Sequence, residues 1–180
     1  MSKSSKRLDD SERPNDQIHA GDQDVITYDN LYHNYVAPVL EEMQMYTLPL
    51  ATLLVGTAAH ESEGGRFVKQ VDGPAVGLYQ MEPRTHDDLW KDMSPKLQQK
   101  IYKVSGYTSK PDAAVMEKDH KYSTIMAAVF YMRFKQPIPQ TLMGQACYYK
   151  QYWNTRYGAA TPEEFVNDYE RYTKPHRAVK

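Results

Sequence analysis

Cysteine is almost absent: the 180 residues hold one, Cys147. An internal disulfide and a cysteine-based zinc cluster are thereby excluded. Cys147 stands among apolar and aromatic neighbours and reads as a small core residue. Phenylalanine and tryptophan are scarce, at four and two, and tyrosine takes their place with fifteen. A tyrosine ring packs while its hydroxyl keeps a polar partner, which suits half-buried surfaces, whether for carbohydrate or for protein. No apolar run approaches the roughly 20 residues of a membrane-spanning helix, so no membrane insertion is expected. Neither sign of charge prevails: 22 Lys and Arg against 23 Asp and Glu leave a net −1. Such a chain has no global field to draw in nucleic acid or an anionic membrane. The start, MSKSSKRLDDSERPND, lacks an apolar stretch, so no secretory signal is expected. There is no Gly-rich phosphate loop, no Ser-His-Asp order and no HExxH, since His60-Glu61 is followed by Ser-Glu-Gly. His60, His86 and His120 follow no ligand spacing; they read as structural or exposed histidines, and no metal or other cofactor is expected.

What is present fits one domain with a tail. Hydrophobic residues make up 41% of the chain, enough for a core. Residues 1–24 are polar and charged and are expected to be disordered, either as a leftover tail or as an arm that orders on a partner. Residues 25–180 read as a mainly α domain. Asp29 or Asn30 can cap a helix LYHNYVAPVLEEMQMY, which Pro38 should kink or break. Pro49 suits the first turn of a helix from Leu50 to Ser62, ended by Gly64-Gly65. Arg66–Val71 and Ala75–Gln80 read as short strands or an extended loop, with Asp72-Gly73-Pro74 as the turn. Helical signals then return. Thr85 can cap THDDLWKDM, and Ser94-Pro95 can start the next helix. Residues 105–112 form a loop that ends in a capping Asp112. Ile125, Ala128, Val129 and Met132 mark one buried stripe; Leu142, Gln145, Ala146, Tyr149 and Trp153 mark another. Thr161-Pro162-Glu163-Glu164 is a capping box that opens a last helix.

The stretch Leu53–Pro83 organises the rest. Leu50, Leu53, Leu54, Thr57, Ala58 and Glu61 recur at i, i+3, i+4, i+7, i+8 and i+11, which is one helical face. Glu61 thus ends an apolar face, where desolvation favours the protonated carboxyl. A general acid for glycosidic cleavage needs that state. The bland alternative is a capping glutamate or a partner for Arg66.

Glu61-Ser62, then Gly77-Leu78-Tyr79-Gln80-Met81 with Pro83 and Thr85 behind it, resembles the soluble lytic transglycosylase family and the goose-type lysozymes. That family carries Glu-Ser and then Gly-Leu-Met-Gln followed by proline, and Glu61 and Gly77 stand sixteen positions apart. A later Ala-x-x-Tyr-Asn element has a loose counterpart in Ala146-Cys147-Tyr148-Tyr149, with Asn154 further on. The resemblance spans about residues 48–157 and is strongest to phage-encoded members. It implies a lysozyme-like fold with a small β element between the catalytic helix and the remaining helices. It implies Glu61 as the acid/base and Ser62 as a residue that orients it or binds substrate. Tyr79, Gln80 and Met81 would line the groove, with Tyr79 replacing the usual methionine, and Tyr148 or Tyr149 would be the groove tyrosine beside the glutamate. The implied substrate is the MurNAc-GlcNAc bond of peptidoglycan glycan strands.

Hydrolysis uses two carboxylates, about 5–5.5 Å apart for retention or about 6.5–9.5 Å for inversion. A lytic transglycosylase, by the family's pattern, uses one, and the sugar's own 6-hydroxyl attacks. Candidates for a second carboxylate are Glu63, Asp72, Glu82, Asp87 and Asp88. Asp72 leads, because goose-type enzymes place theirs in that loop, and the single-glutamate route is slightly favoured. The expected setting is a phage virion, in tail or internal core, with residues 1–24 docking to other virion proteins. The alternatives are an endolysin in the host cytoplasm, an inactive structural virion protein on the same fold, and a glycan-binding module.

Overall fold

The computed structural model describes residues 25–67, 73–155 and 158–174. The expected arm, residues 1–24, lies outside them. The described residues are mainly helical. They form α1 (Tyr28–Leu31), a π turn Tyr32–Val36, α2 (Ala37–Glu42), α3 (Leu48–Ser62), α4 (Pro83–Asp92) and α5 (Pro95–Ser105). A 3-10 turn Ala113–Glu117, α6 (His120–Met132), α7 (Leu142–Tyr149), a second π turn Lys150–Asn154 and α8 (Pro162–Thr173) follow.

Local signals set most helix ends. Thr47 caps α3, with Pro49 in the first turn, and Ser94 caps α5, with Pro95 at its first position. Asp112 caps the 3-10 turn, and Thr161 with Glu164 forms the reciprocal capping box of α8. Elsewhere the ends differ from expectation. The first helix is capped by Thr27, not by Asp29 or Asn30. It stops at Glu42, and the π turn just before Pro38 absorbs the proline's missing N–H. Thr85 lies inside α4, because Pro83 already opens that helix after Glu82.

The expected small β element does not form among the described residues. Residues 76–81 instead make one tight turn, closed by a single antiparallel bridge between Val76 and Met81. Four residues, Gly77 to Gln80, turn the chain inside that bridge, and Gln80 takes a left-handed conformation at φ 52°. This leaves no length for a ladder.

Two helices sit at the centre. α8 and α7 pack on α3, while α2, α4 and α5 pack on α6. Every α3 residue from Leu53 to His60 is buried, so its apolar stripe is wider than the single face the spacing indicates. Every α6 residue from Tyr122 to Tyr131 is buried too, whereas Met132, expected in the stripe, is 48% exposed. Cys147 is exposed rather than in the core; it points away from the α7 face carrying Gln145, Ala146 and Tyr149, which is buried.

α8 seats against α3 at Gly56. A Cβ there would lie 2.2 Å from Phe165 Cζ, and Phe165 is fully buried. A polar knot ties α4 to α6. Trp90 Nε1 donates to the Tyr122 hydroxyl at 2.8 Å, so the Tyr122 proton is directed to His86 Nε2 at 2.6 Å. His86 Nδ1–H then donates to Asp87 Oδ1 at 2.9 Å, which also pairs with Lys110 at 2.8 Å. Burial lowers the His86 pKa below 6.5, against the pull of Asp87; Lys110 lowers it further and Asp112 opposes.

Two predictions follow from this packing. Gly56→Ala gains helix propensity but strikes the Phe165 ring, and the net effect is a loss of about 1–3 kcal/mol in urea unfolding. The second concerns pH. Below the ordinary histidine pKa the unfolded chain binds a proton that native His86 does not, so stability falls on acidification through about pH 6.5. Asp87, its own pKa lowered by Lys110 and His86, acts only below the ordinary aspartate range. His86→Gln therefore lowers stability at neutral pH yet flattens its fall between about pH 7 and 5, which urea midpoints across that range will show.

Candidate active site

The last turn of α3 carries the chemistry. The helix ends because Glu63, Gly64 and Gly65 all take left-handed conformations, at φ 53°, 72° and 93°. The Glu63 and Gly64 amides close onto the Ala59 and Ala58 carbonyls. Gly64 has no room for a side chain, since a Cβ would meet the Tyr172 ring at 2.5 Å and the Ile26 carbonyl at 2.8 Å.

Ser62 is fully buried. Its hydroxyl donates to the Leu78 carbonyl at 2.6 Å, lies 3.2 Å from the Ala58 carbonyl and accepts from the Gly65 amide at 2.9 Å. It joins the end of α3 to the turn at residues 77–80, and none of these contacts is to a substrate surface. Gly77 seats that turn from the other side. Its φ is 83°, and a Cβ would fall 2.2 Å from the Met116 carbonyl oxygen. Gln80 Nε2 donates to the Phe67 carbonyl at 3.0 Å and to the Gly77 carbonyl at 2.9 Å, which ties the loop after α3 to the same turn.

Glu61 is half-buried, on the rim rather than in the core. The Tyr149 hydroxyl donates to its Oε1. Tyr149 is fully buried; burial first, and the Glu61 charge with its hydrogen bond after it, hold the phenol well above its ordinary pKa of 10. It therefore stays protonated and remains the donor. Tyr131 is held up in the same way, chiefly by burial. The Thr57 hydroxyl donates to the Leu53 carbonyl at 2.7 Å, so the Tyr131 hydroxyl, 2.8 Å away, donates to Thr57. On the far side, Lys150 Nζ donates to Asn154 Oδ1 at 2.8 Å and to the Gly158 carbonyl at 2.7 Å. The Asn154 side chain is a hydrogen-bond partner of Tyr149. The π turn Lys150–Asn154 brings residue 154 back under residue 149.

Of the residues read as substrate contacts, Tyr149 meets Glu61 through a hydrogen bond. Tyr79 is 1% exposed and bonds Thr124 at 3.0 Å; Met81 is a core residue. Tyr148 is buried, donates to the Gln136 carbonyl at 3.1 Å and packs on Tyr152, with centroids 4.5 Å apart. Buried rings offer no face for a pyranose, so Tyr79 and Tyr148 are packing residues. Asp72 lies outside the described residues. Of the other carboxylate candidates, Glu63 is 3.7 Å from Arg66, Asp87 pairs with His86 and Lys110, Asp88 is 3.9 Å from Arg84, and Glu82 precedes α4.

One pair escapes the sequence reading. His60 Nδ1 lies 2.7 Å from Asp168 Oδ2, with both side chains nearly inaccessible. The His60 ring meets Tyr149 edge-on at 5.2 Å, and Tyr149 lies 4.8 Å from Phe165. The pair is legible once Phe165, Asp168 and Tyr172 are seen to share one face of α8, because an aspartate in such a stripe needs a buried partner. Among the described residues no cluster of three His, Cys, Asp or Glu is arranged to hold a metal. No helix there is long and apolar enough to cross a membrane.

Comparison with protein-family models, with curated proteins and with solved structures finds no match to this chain.

The Ser62 bonds make a prediction of their own. Ser62→Ala strips a partner from a buried carbonyl and a buried amide, and costs about 1–3 kcal/mol in urea unfolding.

Proposed function

We propose that this chain is a peptidoglycan-cleaving glycosidase of the lytic transglycosylase or lysozyme type, on a lysozyme-like helical scaffold, with Glu61 as the general acid and base. The observation that carries this reading is the placement of Glu61. It is a half-buried carboxyl at the rim end of an otherwise enclosed helix, with one oxygen engaged by a buried tyrosine that cannot give up its role as donor. The other oxygen, Oε2, is then the one that carries a proton to an incoming group. In the proposed reaction Oε2–H protonates the glycosidic oxygen as the bond from that oxygen to the anomeric carbon breaks. Glu61, now ionised, accepts the proton of the sugar's 6-hydroxyl as that oxygen attacks the same carbon. The product is an internal anhydro ring, no water is consumed, and Glu61 regains its proton. Tyr149 stabilises the ionised carboxylate between the two steps.

The resemblance to phage-encoded enzymes suggests where it acts: carried in the virion, tail or internal core, with residues 1–24 on neighbouring virion proteins, or alternatively in the host cytoplasm before lysis. A second reading has an observation in its favour. Ser62, Tyr79, Met81 and Tyr148 all turn inward, so the scaffold could serve as a structural virion protein with little activity.

Turbidity clearing of purified cell wall separates the two. The wild-type chain is expected to clear it, and Glu61→Gln to slow clearing by about 10²–10⁴. Tyr149→Phe is expected to cost about 10- to 100-fold while the chain stays folded. Mass spectrometry of the released muropeptides should find end groups lighter by one water. Wild-type inactivity, or a fully active Glu61→Gln, rejects the assignment. Probing purified particles for the chain tests the virion setting.

A further inference from the structure

A cavity of about 540 Å³ opens where three segments meet: residues 25–29, the end of α3 with its loop, and the last turns of α8. It is built rather than left over. Ile26 is pinned twice, its amide to the Gly64 carbonyl at 2.8 Å and its carbonyl to the Tyr172 hydroxyl at 2.5 Å. Tyr28 meets Tyr172 edge-on at 6.5 Å. Val25, Ile26, Tyr28, Ala59 and Tyr172 thus supply an apolar and aromatic wall, of the size and character of small-molecule sites.

Six charged side chains line the cavity, Asp29, Glu63 and Asp168 against Arg66, Arg171 and Lys174. Arg66, Arg171 and Lys174 lie at the opening, with side chains 48%, 74% and 72% exposed. The inner carboxylate, Asp168, is already bonded to His60 Nδ1. Arg171 reaches Asp168 through a single contact at 3.9 Å, and Arg66 reaches Glu63 through one at 3.7 Å. A guanidinium carries five donors in a fork that fits a carboxylate two at a time at about 2.7–2.9 Å. Both forks are therefore anchored at the mouth with donors to spare. An acid with an apolar body would meet the spare donors of the two guanidinium forks at the mouth and the aromatic wall inside.

We propose that this cavity binds a small carboxylic acid with an aromatic or branched apolar body, its carboxylate held by Arg66 and Arg171 and its body against Tyr28, Ile26 and Tyr172. The site is separate from the Glu61 reading and stands without it. The test titrates the full chain with N-acetyltryptophan, and with its neutral amide as control, followed by amide chemical shifts. The acid should bind about tenfold more tightly than the amide, since the difference is one charge-assisted pair of bonds. Shifts should concentrate at Ile26, Ala59 and Tyr172. Arg66→Gln and Arg171→Gln, both at exposed side chains, should each weaken the acid about tenfold and leave the amide unchanged. Equal affinity for acid and amide, affinity unchanged in both variants, shifts centred elsewhere, or no binding of either probe at millimolar concentration overturns the proposal.

Discussion

The enclosure of α3 is the constraint on which the rest depends. A helix buried on all sides must present small residues wherever a neighbour crosses it, and Gly56, Ala58 and Ala59 are those residues. Phe165 fills the place that a Cβ at Gly56 would take, which sets how closely α8 can approach. Enclosure also decides where polar groups go. Within the buried run 53–59 the one polar side chain is Thr57, and its hydroxyl returns to the Leu53 carbonyl. His60, Glu61 and Ser62 are gathered into the last turn, and each reaches a different element: α8 through Asp168, α7 through Tyr149, and the turn at residues 77–80 through the Leu78 carbonyl. One turn of helix thus fixes three neighbours, and the candidate site is where they meet.

The tyrosines show how the chain builds a core with so little phenylalanine. The hydroxyls of Tyr79, Tyr122, Tyr131, Tyr149 and Tyr172 each find a partner inside the fold: Thr124, His86, Thr57, Glu61 and the Ile26 carbonyl. Burial raises the pKa of every one of them, so all stay neutral and keep their donor roles. At these five positions each tyrosine ring brings one directional bond as well as apolar area to the fold.

What could be read in advance was local. Caps at Ser94, Asp112 and Thr161 depend on neighbours within three residues, and all three hold. The position of Glu61 at the end of an apolar helix, and a tyrosine beside it, were legible from spacing and resemblance. Tertiary facts were not. Nothing local records that the turn around Gly77 is seated on Met116, with Tyr79 buried behind it, or that Tyr148 packs on Tyr131 and Tyr152. Cys147 has apolar neighbours in sequence but faces out, because adjacent positions on a helix point about 100° apart. The strand reading of 75–80 fails because β-type composition needs a partner strand, and four residues of turn between bridged positions provide none; most of the stretch 66–71 lies outside the described residues. The His60–Asp168 pair joins residues 108 apart, and only the burial of both reveals it.

The same geometry narrows the chemistry of Glu61. A carboxyl has two oxygens and one proton to place. Tyr149 cannot release its own proton, and Asn154, turned by Lys150, stands behind its hydroxyl. The bond to Oε1 is therefore donated toward the glutamate, and in the proposed reaction the transferred proton sits on Oε2. An acid fixed in this way delivers its proton along one direction and takes one back from that direction. A reaction in which leaving group and nucleophile belong to the same sugar asks for that reuse of a single oxygen. A water-activating second carboxylate would need a place of its own: Glu63, Asp87 and Asp88 are each engaged with a basic side chain, Glu82 precedes α4, and Asp72 lies outside the described residues. The proposed single-glutamate route asks for one carboxyl, and Glu61 with its tyrosine donor is the pair offered for it.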